Sequence, residues 1–293
     1  MSRPRFSVVT IVRDGEEYLE EAVTSVREQT VEDWELHIVD DGSSDRTLEL
    51  AEHLAGADPD RIHVHVHPEN ANRGMSASRN LGLRHATGDF VTWLDHDDRF
   101  LPTKLEVLLA RLQVHGEAVA VIGPCRRWHS WRDPAIPDED QCFPSGMCGT
   151  LLPPPGLLPL FLENSRLVPL APLVRRGPLV AMGGHIEHFT GMHEDQAFLS
   201  RLMFRHPVVV TDETLHLYRQ HEASCVTTTH RQGRDLSARR DFLHWLTDEF
   251  EFGGTRDEAL RTLIRRRIRE SRGWRLRRWR RLLINLRKSR SSR

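Results

Sequence analysis

Short apolar runs alternate with amphipathic stretches through the first 122 residues of the chain. Five runs have the length and the apolar or β-branched composition of strands: Phe6 to Val12, Trp34 to Val39, Arg61 to His67, Phe90 to Leu94 and Ala118 to Ile122. Between them, apolar residues recur at helical spacing, as in Tyr18 to Glu28. This alternation predicts an α/β fold, with a mostly parallel, Rossmann-like sheet and helices on both faces.

Acidic residues follow two of these strands. The second predicted strand ends in Asp40 and Asp41, and the fourth is followed by Asp95, Asp97 and Asp98. Parallel strands bring their carboxyl ends to one edge of a sheet, where open α/β folds bind ligands. Crowded carboxylates repel one another, and hard oxygen ligands favour Mg²⁺ or Mn²⁺, often together with substrate phosphates. The pattern predicts a nucleotide-diphosphate site here, with a solvated acidic loop that caps the next helix as the alternative.

The pattern becomes less regular after Ile122. Residues 124–159 are rich in Pro, Gly and Trp, so helix is not expected through most of them. Loops of this length are usually functional or mobile. Later elements are predicted as strands at Leu167 to Val174, Val208 to Thr211 and Thr214 to Tyr218, and as helices from near Glu194 and from about Arg231 onward.

These elements predict a domain over 1–225 and a helical, basic extension over 226–293. Within the domain we expect a nucleotide-binding half over 1–123 and an acceptor-binding half over 124–225.

Charge is distributed unevenly, although the net charge is only −1. From Arg261 to the end, 15 basic residues stand against one acid, so the remainder carries −15. The basic stretch also contains Trp and Leu residues, which is typical of an amphipathic helix on anionic lipid. Nucleic acid and the protein's own acidic body are the alternative partners.

Other features of the sequence narrow the class of protein. No apolar run approaches the ~18 residues of a membrane span, and the N-terminus lacks a signal-peptide core, so the cytosol is the expected compartment. The four cysteines have no metal-site spacing and are expected to be reduced. His63, His65 and His67 alternate along one strand and would share a face. A metal site is the alternative there, but it lacks a carboxylate or Cys partner, so an ordinary strand is expected.

Segments 7–44, 72–101 and 193–224 resemble the family 2 glycosyltransferases, which have the GT-A fold. The resemblance is carried by VVTIVRDGEEYLEEAVTSVREQT, ELHIVDDGSSDRT, NRGMSASRNLGLRHATGDFVTWLDHDD, HEDQAFLSRL and YRQHEAS. Family members often have Pro at the position of Ile11 and Tyr-Asn at Arg13-Asp14. The nucleoside pocket is therefore expected to differ in detail.

The resemblance implies a nucleotide-sugar site that includes Ile11, Arg13, Asp41 and Arg79. An ionised Asp41 would accept a hydrogen bond from the uracil ring N–H, a proton that cytosine lacks. The alternative for Asp41 is a role in a helix-capping cluster. Arg79 would pair with diphosphate oxygens or brace the acidic cluster, and a purely structural salt bridge is its alternative.

The resemblance also implies that Asp95 and Asp97 contact the donor and that Asp97, Asp98 and His221 hold Mn²⁺ or Mg²⁺. Such an ion neutralises charge on a departing diphosphate. His96 is expected to point to the other face of its strand. His221 alternatively has a structural role.

Glu194 and Asp195 resemble the acidic pair of the family, with Asp195 as the catalytic base. An inverting transfer needs a base on the face opposite the leaving group. The alternative is two acids placed favourably at a helix N-terminus.

Together these features imply a metal-dependent inverting glycosyltransferase with a UDP-sugar donor and a glycan, lipid-linked or other hydroxyl acceptor. It would act in cell-surface polysaccharide or glycoconjugate synthesis. Many members use lipid-linked acceptors, so a peripheral place on the inner membrane face is expected, without nucleic acid. The rivals are a nucleotidyltransferase, which the missing Gly-rich phosphate loop disfavours, and a non-catalytic, membrane-tethered nucleotide-sugar-binding protein, which the intact acids disfavour.

Overall fold

The computed structural model describes residues 4–233, 235–252 and 257–271, and the chain divides into two compact units, Met1–Cys225 and Val226–Arg293. The strands lie in the first unit. They are β1 (Phe6–Val12), β2 (Trp34–Asp40), β3 (Ile62–Val66), β4 (Phe90–Trp93), β5 (Arg99–Phe100), β6 (Ala120–Ile122), β7 (Arg126–Trp128), β8 (Glu139–Asp140), β9 (Leu151–Leu152), β10 (Leu173–Arg175), β11 (Val208–Val210) and β12 (His216–Arg219).

Helices occur in both units. They are α1 (Leu19–Arg27), α2 (Thr47–Gly56), α3 (Met75–His85), α4 (Lys104–Val114), α5 (Leu158–Glu163), α6 (Arg176–Ala181), α7 (Glu194–Arg205), α8 (Cys225–Arg231) and α9 (Asp235–Phe252). Three short 3-10 turns occur at Pro68–Asn70, Ser145–Met147 and Ser165–Leu167.

The main sheet has the order β3-β2-β1-β4-β10-β6-β11-β9. Its first four strands are parallel, as the alternating pattern predicts, and β1 lies between β2 and β4. Residues that follow β2 and β4 therefore flank the carboxyl end of β1. This is how residues 41 and 95, distant in sequence, come to the same edge of the sheet.

The sheet departs from the parallel pattern at β10, which runs antiparallel to both β4 and β6. The strand predicted over Leu167 to Val174 is shorter and begins only at Leu173. Pro169 and Pro172 explain the difference, because neither has an N–H to donate to a neighbouring strand.

A second, smaller sheet has the order β5-β12-β7-β8. Strand β12 pairs with β5, which follows the acidic cluster at 95–98. It also pairs with β7, which lies in the Pro-rich residues 124–159, called the middle segment below. This sheet brings residues near 216–221 against residues 97 and 98. The middle segment is therefore partly built from short strands, although its sequence predicts mainly loop.

Apolar side chains fill the space between the main sheet and its helices. In α1, Leu19, Ala22, Val23 and Val26 are all buried, which matches the helical stripe seen in the sequence. Burying a side chain the size of Leu or Val contributes roughly 1.5–3 kcal/mol. This face fixes α1 against the sheet and so fixes the loop that follows β1.

The second unit is helical in its described part. It contains most of α8, then α9, and a further helical segment at 258–271. The basic amphipathic stretch predicted beyond residue 271 lies outside the described residues. Within the described residues, no helix combines the length and the apolar character needed to cross a bilayer.

Candidate active site

Asp41 holds the loop that precedes α3. Its carboxylate is buried and accepts hydrogen bonds from the backbone N–H groups of Arg73 at 2.7 Å and Gly74 at 2.9 Å. Gly74 has φ +85° and packs so closely on Thr190 that a Cβ would meet its side chain at 2.8 Å. Through Gly74, Asp41 therefore links the end of β2 to Thr190, which lies in the loop that leads into α7.

The other nucleotide-site candidates at the end of β1 differ in exposure. Ile11 is buried within the strand, whereas the side chain of Arg13 is 58% exposed. Asp14, which follows Arg13, accepts hydrogen bonds from the N–H and hydroxyl of Ser44. The residue before α1, Tyr18, makes no side-chain cap.

Arg79 joins two acids that are far apart in the sequence. Its guanidinium lies 2.6 Å from Asp95 Oδ1 and also contacts Glu194. Burial opposes a charge on Arg79, but the carboxylates of Glu194 and Asp95 outweigh it and raise the pKa of Arg79. The arginine therefore braces the acidic cluster.

Asp195 lies in the first turn of α7, beside Glu194. Burial, together with the charge of Glu194, raises the pKa of Asp195 to about 7. One of its oxygens accepts the N–H of Gln196 at 2.7 Å. A carboxylate with a pKa near neutrality can accept a proton at physiological pH and release it again, which suits a general base.

Asp97 and His221 form a close pair, with Asp97 Oδ2 and His221 Nε2 2.8 Å apart. Burial would raise the pKa of Asp97, but the hydrogen bond with His221 and the nearby His96 lower it, so the carboxylate stays ionised. The ring of His96 packs against Gly15, where a Cβ would meet it at 2.4 Å.

Asp98 has both carboxylate oxygens occupied. Oδ1 accepts the N–H of Arg219 at 2.9 Å, and Oδ2 lies 2.7 Å from His216 Nε2. Burial and the charges of Asp97 and Asp95 raise the pKa of Asp98 well above its ordinary value. Its contacts tie the acidic loop to β12.

Arg219 lies in the YRQHEAS segment that carries the family resemblance, but the sequence assigns it no role. It donates to the carbonyl oxygen of Asp97 at 2.7 Å and contacts Glu21. Its guanidinium also lies 4.4 Å from the ring of Trp128 and 4.8 Å from that of Trp131. The pairing of β12 with β7 sets Arg219 opposite Trp128, a contact that the local sequence does not predict.

A cleft of about 70 Å³ lies beside the catalytic candidates. Its polar lining includes Arg79, Asp95, Glu194 and Asp195. Trp93 also lines it, and the buried Nε1–H of that indole has no acceptor among the described residues.

Across the described part of the chain, no three His, Cys, Asp or Glu side chains are already arranged to hold a metal ion. The Asp97–His221 pair nevertheless fits the expected cation. It offers one carboxylate oxygen and one imidazole nitrogen, ligands that suit Mn²⁺. A divalent ion in such sites commonly completes its shell with water and phosphate oxygens rather than further side chains.

Comparison with known proteins adds to this geometry. Residues 7–136 match the family described as "Glycosyl transferase family 2". Of the curated relatives, the Campylobacter jejuni GalNAc(5)-diNAcBac-PP-undecaprenol beta-1,3-glucosyltransferase is 35% identical over 108 residues, 37% of this chain and 34% of its own. The chain spans 41% or less of the length of the relatives that it matches.

Solved structures show that the similarity extends beyond the family 2 region. S. aureus TarS 1–349 in complex with UDP aligns with a TM-score of 0.60 and 20% identity, covering 84% of this chain and 65% of the TarS 1–349 chain. The mannosyltransferase PcManGT from Pyrobaculum calidifontis, in complex with GDP-Man and Mn²⁺, aligns with a TM-score of 0.58 and 16% identity over the same shares. The chain has the GT-A fold, which confirms the predicted fold class.

Proposed function

We propose that this protein is a glycosyltransferase that moves a sugar from a nucleotide-diphosphate donor to an acceptor hydroxyl with inversion. The observation that carries the proposal is the Arg79 bridge between Asp95 and Glu194. It places the acidic loop after β4 next to Asp195, whose pKa is raised to about 7. Residues that are expected to contact the donor and the proposed base Asp195 then line one cleft, as the reaction requires.

In this reaction Asp195 takes the proton of the acceptor hydroxyl. The acceptor oxygen forms a bond to the anomeric carbon while the bond from that carbon to the diphosphate oxygen breaks on the opposite face. Glu194 does not have the same freedom, because Arg79 and His185 both lie against its carboxylate. We therefore assign proton transfer to Asp195 and a positioning role to Glu194.

Asp97 and His221 are the proposed protein ligands of Mn²⁺ or Mg²⁺. When bound, the cation would neutralise negative charge on the departing nucleoside diphosphate. PcManGT is a neighbour of known structure with Mn²⁺. Asp98, which the sequence groups with the ligands, is assigned a positioning role because its oxygens already contact His216 and Arg219.

The donor is proposed to be a UDP-sugar, with Ile11, Arg13 and Asp41 beside the nucleoside. TarS binds UDP, and PcManGT binds GDP-Man, so both bases occur on this fold. Since Asp41 already accepts two backbone N–H groups, its remaining lone pairs would have to serve the base.

The acceptor is proposed to be a glycan or a lipid-linked saccharide on the inner membrane face, consistent with the undecaprenol-linked substrate in the name of the C. jejuni relative. The basic segment beyond residue 271 would contact anionic lipid. Sedimentation with phosphatidylglycerol and with phosphatidylcholine vesicles tests this, using the full chain and a chain ending at residue 271. Equal sedimentation of both chains would contradict it.

Donor turnover tests the enzymatic proposal. The rate of UDP release from UDP-sugars in the presence of Mn²⁺ should fall by about a hundredfold or more in Asp195→Asn. General base catalysis accelerates a reaction by about 10²–10⁴-fold, and the variant lacks the base. Asp212→Asn, which changes an exposed acid, is the control. Undiminished turnover in Asp195→Asn would exclude Asp195 as the base.

The nucleotidyltransferase alternative predicts a different product. It would consume a nucleoside triphosphate and release pyrophosphate. Pyrophosphate formation from UTP and a sugar phosphate, with no UDP from any UDP-sugar, would favour it.

A further inference from the structure

Ser76 ties the first turn of α3 to the segment that leads into α7. The residue is 1% exposed, and its hydroxyl donates to the carbonyl oxygen of Phe189 at 2.6 Å. Phe189 belongs to residues 185–193, which directly precede α7 and are called the α7 loop below. Because the two partners are 113 positions apart in sequence, the bond is a tertiary contact rather than part of a helix end.

The neighbours of Ser76 support the same attachment. The N–H of Met75 donates to the carbonyl oxygen of Thr190 at 3.2 Å. Gly74, which precedes α3, packs so closely on Thr190 that a Cβ would meet its backbone oxygen at 2.9 Å. Three consecutive residues at the start of α3 therefore contact two consecutive residues of the α7 loop.

Only a tight turn separates this attachment from the acids of α7. His193, the last residue of the α7 loop, has φ +70°, a left-handed conformation that residues with a Cβ seldom adopt. The N–H of Glu194 donates to the carbonyl oxygen of Gly191 at 3.2 Å. A displacement of the Phe189 carbonyl would therefore also move the first turn of α7, which carries Asp195.

We infer that Ser76 is a positioning residue for Asp195, because its hydroxyl fixes the carbonyl of Phe189 and with it the start of α7. The inference rests on the proposed function, in which Asp195 takes the proton of the acceptor. Ser76 acts through the backbone of the α7 loop. A misplacement of about 1 Å at a reacting group can lower a rate by about a hundredfold, so the loss of this one bond should reduce kcat.

The nucleoside side of the cleft has a support of its own. Asp41 accepts the backbone N–H groups of Arg73 and Gly74, and neither bond involves the hydroxyl of Ser76. Removal of that hydroxyl should therefore lower kcat and leave the affinity for UDP unchanged. A general loosening of the cleft would change both quantities.

Turnover in single and double variants tests the inference. The rate of UDP release is measured with Mn²⁺, with water as the acceptor, and with a saturating amount of the UDP-sugar that the wild-type protein cleaves fastest. Ser76→Ala should lower this rate about tenfold or more, and calorimetry should give an unchanged Kd for UDP with Mn²⁺. In an Asp195→Asn background, Ser76→Ala should have almost no further effect, because the base that Ser76 positions is already lost. Ser76→Thr, which keeps a hydroxyl, should retain most of the wild-type rate.

Ser25→Ala is the matched control. Ser25 lies on α1 and is also buried, and its hydroxyl donates to the carbonyl oxygen of Ala22 at 2.7 Å. This variant should leave kcat and the Kd for UDP unchanged. Circular dichroism shows whether each variant folds. If Ser76→Ala does not fold, Ser76→Cys decides, because a thiol occupies similar space and is only a weak donor.

Unchanged turnover in Ser76→Ala would overturn the inference, as would equal rate losses in the wild-type and Asp195→Asn backgrounds. Weaker UDP binding in step with the lower rate would also overturn it, since Ser76 would then support the whole cleft. The proposed function fails in a different way, through full turnover in Asp195→Asn or through the absence of UDP release by the wild-type protein, and the role of Ser76 then fails with it.

Discussion

Individual residues show where sequence reasoning succeeds and where it ends. The sequence places Asp41, Asp95 and Asp97 at strand ends and Asp195 at a helix start, and the structure puts them there. The sequence cannot predict which residues contact these acids. For Arg79 the sequence leaves open a diphosphate contact, bracing of the acidic cluster and a structural salt bridge, and its contacts with Asp95 and Glu194 favour the last two.

The raised pKa of Asp195 predicts the pH dependence of turnover. The base must be ionised, so kcat/KM should rise as pH increases through about 7 and level off above it. Rates of UDP release from pH 5.5 to 8.5 would show this limb. A flat profile across this range would contradict the role of Asp195.

Neutralising Glu194 should shift the pH at which kcat/KM rises. The charge of Glu194 raises the pKa of Asp195, so Glu194→Gln should move the midpoint to lower pH. A role for Glu194 in structure alone would lower the rate without moving the midpoint. Comparing midpoints in the variant and the wild-type protein distinguishes these outcomes.

Among the elements, α3 supports the site through two neighbouring residues. Arg79 lies on it, and the neighbouring Asn80 donates to the carbonyl of His185 at 3.0 Å and accepts its N–H at 2.8 Å. Asn80 thereby holds the loop that carries His185 beneath Glu194. The periodicity of α3 predicts a helix but not these contacts, because the loop is about 105 residues away in sequence.

Close packing of α3 on the sheet predicts a matched pair of glycine substitutions. A Cβ on Gly82 would meet Val9 at 2.4 Å, so Gly82→Ala should destabilise the protein by about 1–3 kcal/mol. Gly56, at the end of α2, has nothing within 4 Å. Gly56→Ala should therefore be neutral or stabilise by up to about 1 kcal/mol. Urea denaturation measures both, and equal stability of the two variants would contradict the packing.

Short strands limit what the sequence predicts at this scale. β8 and β9 have two residues each and β7 has three. Periodicity cannot be read from so few positions. They form because partners from distant segments lie beside them.

For the whole molecule, the parallel half of the sheet is predictable because each strand is followed by its own helix and crossover. The antiparallel β10 and the second sheet are not, since they depend on pairings between residues about 80 to 120 positions apart. The boundary of the family 2 match at residue 136 falls in the same region.

Ligand binding should stabilise the whole molecule. At a hundredfold excess over Kd, UDP with Mn²⁺ should add about 2.7 kcal/mol to the free energy of unfolding. Thermal unfolding should show a larger shift with both ligands than with either alone. Asp97→Asn should lose the Mn²⁺-dependent part, and Asp212→Asn should keep it. Equal shifts in both variants would argue against Asp97 as a ligand.

The contacts of Arg219 limit which chimeras of this protein keep its native contacts. This side chain contacts α1 through Glu21, the acidic loop through Asp97 and the middle segment through Trp128 and Trp131. A chimera that exchanges residues 124–225 with those of a relative would separate Arg219 from Glu21 and Asp97. To keep these contacts, the exchange must include the residues on both sides of them. A relative is therefore suitable when its first helix carries an acid that can replace Glu21.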